Sequence, residues 1–305
     1  MARRKKGRPI SGVLLVDKPL GFSSNQILQK AKWLYQAQKA GHTGTLDPAA
    51  TGLLPICFGE ATKFSQFLLD AEKAYLTTGV FGISTETLDA EGEVTQEREV
   101  PNISEPQLQA VLSKFTGDIE QVPPMYSALK RDGKKLYELA REGIEVEIDP
   151  RPVTITRNDL LRFESPEFDL DVQCSKGTYI RTLVADIGEE VGCGAHVKTL
   201  RRTRHGQFNI DQAISLEVLE GLREAENYEA LDALLVSLDE LLADLPRIDL
   251  DEHRAKYFSN GNDVNCDASA CTARVYLDDR FLGVGRVSEQ RRLQPERLVS
   301  KEVDA

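Results

Sequence analysis

Strand-length apolar runs and helix-period apolar patterns alternate along this chain at irregular spacing, and that irregularity most limits the folds open to it. A doubly wound parallel sheet needs a regular strand–helix–strand rhythm. Without one, an α+β architecture with a mixed sheet is expected. Residues 12–16 read as a short buried strand closed by the turn Asp17-Lys18-Pro19 with Gly21. Ser23 or Ser24 then offers an N-cap, and Ile27, Leu28, Ala31, Leu34 and Tyr35 share one helical face. Further helices are predicted over 60–69, 105–115, 134–142 and 179–191, with helical, acidic character from 216 to 245. Strands are predicted over 75–81, 153–155, 168–174 and 199–210. After Leu245-Pro246, strands over 273–277 and 281–287 surround an Asp-Asp turn, so 250–305 reads as a small β domain.

A length of 305 residues suits one large domain plus a small one. No stretch approaches the roughly 18 uninterrupted apolar residues of a membrane helix. The start, MARRKKGRPISG, is basic and lacks a signal peptide's apolar region, so residues 1–9 are expected to be a disordered basic tail on a cytoplasmic protein. The five cysteines, Cys57, Cys174, Cys193, Cys266 and Cys271, form no C-x-x-C, and the four histidines show no ligand spacing. Reduced, mostly buried thiols are expected, with no metal and no disulfide.

The net charge of −11 argues against a polyanionic partner, but its distribution does not. Residues 1–82 carry 11 basic against 5 acidic groups, 121–141 carry 5 against 2, and 173–208 carry 6 against 3. If these three segments converge in the fold, they form the footprint of local nucleic-acid binding on an acidic protein. Taken singly, such blocks are more often solvated faces.

The segment Gly41-His42-Thr43-Gly44-Thr45-Leu46-Asp47-Pro48-Ala49-Ala50-Thr51-Gly52 carries the chemistry. Its glycines permit positive φ and close backbone approach, while Pro48 pushes Asp47 away from the helical region. One carboxylate is thereby held on a tight turn among hydroxyls and an imidazole. A phosphate loop would need G-x-x-x-x-G-K-[ST], and no lysine follows either glycine; G-x-G-x-x-G is absent too. An Asp-Pro dipeptide by itself more often just caps backbone amides.

The whole segment, with ATGLLP, closely resembles the active-site motif of the bacterial TruB family of tRNA pseudouridine synthases. The resemblance extends to Val16-Asp17-Lys18-Pro19, Lys73-Ala74-Tyr75, and Pro123-Pro124-Met125-Tyr126-Ser127-Ala128. Gly177-Thr178-Tyr179-Ile180-Arg181, and Ala195-His196-Val197 through Thr199-Leu200-Arg201-Arg202, continue it in the family's order. More loosely, Gly283, Gly285 and Pro295-Glu296-Arg297 look like a small PUA-like RNA-binding domain. The resemblance implies a mixed, mainly antiparallel sheet flanked by helices. It implies a catalytic domain over 10–247, a mobile RNA-gripping insertion at about 124–152, and the PUA-like domain over 250–305. It further implies isomerisation of uridine 55 in the T-loop of tRNA, without guide RNA, cofactor or metal; separately, a monomer is expected.

By the same resemblance Asp47 is the nucleophile, chemistry that suits a carboxylate at a glycosidic centre. Tyr75 stacks on the target base, Arg181 pairs with the catalytic carboxylate, Tyr179 is a pocket residue, and Leu200 is the pocket's apolar wall. His42 enters the RNA loop. Lys18 supports the active-site loop, and Lys73 belongs to the context of Tyr75. Lys130 and Arg131, with Lys134 and Lys135, grip the T-loop, and Arg201, Arg202 and Arg204 contact phosphates, a positioning role. Three alternatives stay open: an RNA-folding chaperone with incidental catalysis, a guide-RNA-dependent synthase, and a phosphate-binding NTPase.

Overall fold

The computed structural model describes residues 7–131, 133–144 and 146–300. The run at 12–16 is apolar throughout because both of its faces are covered. Leu14 and Val16 point into the main core with the helix Ser24–Leu34, while Val13 and Leu15 point into a second core with Phe64 and Val284. This strand, Gly12–Lys18, opens a nine-stranded mixed sheet. Its path continues through Ala50–Phe58, Ala195–His205, Lys73–Phe81, Glu167–Cys174, Arg151–Glu164 and Gly117–Gln121. Neighbours along that path are antiparallel except Ala195–His205 beside Ala50–Phe58, which run parallel.

Helices Ser24–Leu34, Glu105–Lys114 and Ile180–Val191 cover one face, burying Ile27, Leu108, Leu183 and Ile187. A separate five-stranded sheet spans Arg247–Asp249 to Arg292–Leu298 and has its own core around Phe258 and Val275. It meets the other face of the main sheet through Phe281 against Phe64, ring centroids 5.7 Å apart. The five cysteines are free, and all but Cys271 are buried.

Several expectations need correction. The helix over 60–69 is a 3-10 turn, Gly59–Lys63, followed by a short helix, Ser65–Asp70; the break at Phe64 delivers that ring into the second core. The region 216–245 is three short helices because Ser215, Asn227 and Ser237 each cap a new start. The helix over 134–142 begins only at Leu136, since Lys134–Lys135 pair with Lys130–Arg131 in a hairpin. Within the expected tail over 1–9, residue 8 is tied to the fold. Arg8 donates to Gln36 O and pairs with Asp232, whereas residues 1–6 lie outside the described residues, as do 301–305 of the small domain.

Candidate active site

The Asp47 turn is built from its neighbours. Ser23, not Ser24, caps the first helix, in a capping box with Gln26. Ser24 is thereby released: its buried hydroxyl donates to Leu46 O (3.0 Å) and accepts from Leu46 N (2.7 Å), pinning the residue before Asp47. Lys18 is fully buried, and its ammonium donates to Pro19 O at 2.9 Å and Pro48 O at 3.4 Å. Gly21 N–H also donates to Pro48 O, and Ala50 N–H closes the turn on Asp47 O. The carboxylate thus stands on a scaffold tied to two other elements. Burial lowers the Lys18 amine to about 8, with Asp47 pulling it upward.

Arg181 sits on the first turn of Ile180–Val191 and is 5% exposed. Its Nε lies 3.0 Å from Asp47 Oδ2 and its Nη1 3.6 Å from Asp89 Oδ2. Nη1 also donates to Thr87 O (2.6 Å) and Nη2 to Tyr126 O (2.9 Å). Every guanidinium nitrogen is engaged, so the plane of the group is fixed. The helix itself is anchored by buried Gln121, which accepts from Tyr179 N (2.7 Å) and donates to Tyr179 O (3.0 Å).

Asp47, Tyr75, Tyr179, Arg181, Leu200, Lys73 and Arg202 line one pocket of about 250 Å³. Burial pushes the Asp47 carboxyl above the usual range; Arg181 pulls it back, Asp89 raises it, and Lys18 lowers it. Burial likewise raises the Tyr75 phenol, opposed by Arg202. A carboxylate held by a fixed guanidinium, lining one pocket with a tyrosine, can in its ionised form attack an electrophilic carbon with a proton-carrying group nearby.

Lys18, His42, Lys130 and Arg201 lie outside that lining. His42 is partly exposed at the end of the strand Ala40–His42. Lys130 is exposed on its hairpin, and Arg201 pairs with Asp17 (2.7 Å) at the surface. The expectation that Arg202 faces phosphates is overturned. It is 1% exposed and donates through Nε to Leu53 O at 2.6 Å, because strand alternation turns it inward where Arg201 turns out. Arg204, partly exposed, pairs with Glu72 at 3.4 Å. Lys73 is also buried, and its amine caps Leu69 O and Ala71 O at the end of a short helix.

Asp89 was not singled out in the sequence. It is 6% exposed, with Thr87 Oγ1 donating to its carboxylate and Glu91 N–H donating to Oδ1 at 3.1 Å. Its segment is acidic throughout and carries no motif, so nothing local marks it out.

Comparison with known proteins gives concordant results. A model of the TruB family pseudouridylate synthase N-terminal domain matches residues 32–180, and the tRNA pseudouridylate synthase B C-terminal domain matches 181–243. A third, pseudouridine synthase II TruB, C-terminal, matches 246–299. The chain is 54% identical over 298 residues to the tRNA pseudouridine synthase B of Stutzerimonas stutzeri, covering 97% of each chain. It is 54% identical over 295 residues to that of Pseudomonas aeruginosa, covering 96% of this chain and 97% of the relative. Among solved structures, a Cbf5-Nop10-Gar1 complex aligns over 92% of this chain and 79% of that one, with TM-score 0.71 and 25% identity. An H/ACA RNP bound to a substrate RNA containing 2'-deoxyuridine shares the fold, with TM-score 0.73 and 22% identity over 99% of this chain and 92% of that one.

Proposed function

The chain belongs to the TruB family of pseudouridylate synthases, and from that premise we propose that it isomerises uridine in tRNA to pseudouridine, at position 55 of the T-loop, with Asp47 as nucleophile. The observation that carries this reading is the Arg181–Asp47 pair at 3.0 Å inside a nucleoside-sized pocket walled by Tyr75, Tyr179 and Leu200. The reaction breaks the bond from uracil N1 to ribose C1′, turns the base, and rejoins it through C5. No redox change or group donor is required. Arg181 aims the Asp47 carboxylate and pulls it toward the ionised form, against the desolvation that raises it.

Extracting the base from a folded loop costs a few kcal/mol, which stacking on Tyr75 partly offsets. His42 enters the vacated loop, while Lys130 and Arg201 meet RNA phosphates. The enzyme works without guide RNA, as a cytoplasmic monomer, with the catalytic domain over 10–247 and the PUA-like domain over 250–305 gripping the T-arm. No helix among the described residues is long and apolar enough to cross a membrane.

The test is tritium release from C5-labelled uridine in an unmodified tRNA transcript, comparing wild type with Asp47→Asn. Release by wild type alone is expected. If neither protein releases tritium while both bind tRNA tightly, the chain is an RNA-binding chaperone instead.

A further inference from the structure

One cation of the pocket has no part in the account above. Arg202 stands directly opposite Tyr75 in the antiparallel register and beside Gly52 in the parallel one. Directly opposed residues project to the same face of the sheet, so the backbone itself brings Arg202 and Tyr75 together. The pairing with Gly52 is unusually close: a Cβ there would lie 2.3 Å from Arg202 O. Gly44, from the same loop as Asp47, packs over the Nη1 end. The guanidinium lies against the Tyr75 hydroxyl, and Nη2 is buried with no hydrogen-bond partner among the described residues.

No carboxylate among the described residues pairs with Arg202; the polar groups around it include Tyr75, the Leu53 carbonyl, Lys73, His205, Lys18 and His42. His205 donates through Nε2 to Leu68 O and stays neutral. A buried, unpaired charge is destabilising, and an apolar side chain of similar volume would fill the space without that penalty. The charge therefore calls for a functional explanation.

We propose that Arg202 is a positioning residue of the isomerisation: it orients the Tyr75 hydroxyl and stabilises the tyrosinate while Tyr75 moves a proton from uracil C5 to N1. This rests on the pseudouridine synthase reading. Arginine has donors only, so it occupies a lone pair on Tyr75 Oη and leaves the O–H free to turn into the pocket. Once the C5–C1′ bond has formed, C5 carries both the sugar and its original hydrogen. Tyr75 gives its proton to N1, and the resulting tyrosinate takes the hydrogen from C5. One proton has moved, the phenol is restored, and no co-reactant is needed. A fixed cation against Oη is what makes that short-lived anion accessible in a buried site.

The test uses full-length protein and a tRNA transcript carrying deuterium at uridine C5, with wild type, Arg202→Gln and Arg202→Lys. For Arg202→Gln, kcat is expected to fall about 10²–10³-fold with KM for tRNA unchanged, the scale of a lost proton-transfer contribution. A C5 isotope effect larger than that of wild type is expected to appear with it. Arg202→Lys keeps the charge and should show a smaller loss of the same kind, and Arg202→Gln added to Tyr75→Phe should cost nothing further, because Arg202 acts only through the Tyr75 hydroxyl. A loss confined to KM, or no enlarged isotope effect in either variant, overturns the proposal. Should the Gln variant not fold at the assay temperature, the Lys variant reads the same isotope effect. A wild type that makes no pseudouridine overturns the function reading itself, which is a distinct failure from an active wild type whose variants show neither change.

Discussion

Replacing Gly52 by alanine probes the closest backbone approach behind the pocket. Gly52 has φ +103, and an added Cβ would lie 2.3 Å from Arg202 O and 2.8 Å from Arg202 N. Neither atom can yield as a side chain would, because both belong to the strand paired with Gly52. The positive φ costs about 1–3 kcal/mol, and forcing the strands apart adds about 1–3 kcal/mol. At about 2–4 °C per kcal/mol for a chain of this size class, Gly52→Ala should melt roughly 5–20 °C lower. Gly44→Ala is the control: its φ is +117, yet its Cβ would meet nothing nearer than 3.9 Å, so only the dihedral cost applies. Calorimetric melting of the two variants beside wild type isolates the close approach. If Gly52→Ala melts within about 1 °C of Gly44→Ala, the reasoning from strand spacing fails.

In acid, kcat/KM should fall as Asp47 protonates, with a midpoint above the ordinary carboxylate range because burial raises that carboxyl. Arg181→Met removes the group that pulls it down, so the midpoint should move to higher pH; a pH–rate profile with an unmoved midpoint contradicts this. His205 is held far below its usual value, at about 2, by burial and by Arg202 and Lys73. The unfolded chain takes up a proton below about pH 6.5 that the folded one refuses, so stability should drop as pH falls from there toward 4. His205→Gln, which can still donate to Leu68 O, should flatten that part of the melting temperature–pH curve. tRNA affinity should fall steeply with salt, and Lys130→Ala combined with Lys134→Ala should reduce the log–log slope by about 1–2; an unchanged slope removes that hairpin from the RNA interface.

Element type was legible where one local signal dominated. The first helix is written in the Ser23 cap and a clear apolar stripe, and the strand over 12–16 in an uninterrupted apolar run. The central strand Ala50–Phe58 was hidden, since it begins inside the glycine-rich motif and contains Pro55. The edge strand Val94–Glu97 is exposed along its whole length and so has no apolar alternation to read. The acidic stretch after 216 looked continuous because the caps at Asn227 and Ser237 are weak signals beside many helix formers.

At the site, local sequence determined the chemistry on offer: a carboxylate on a rigid Asp-Pro turn, a tyrosine on a strand, an arginine opening a helix. Those features depend on φ, capping and periodicity within a few residues, which a chain carries with it. Tertiary structure alone decided which groups meet. Arg201 and Arg202 are identical in type and adjacent in sequence, yet one pairs with Asp17 at the surface and the other is buried against Tyr75. Asp89 reaches Arg181 only because two distant segments converge on one helix N-terminus. The physical reason is that strand register and packing assign faces and partners. A change of register by one residue would exchange the two arginines and leave every local propensity as it was.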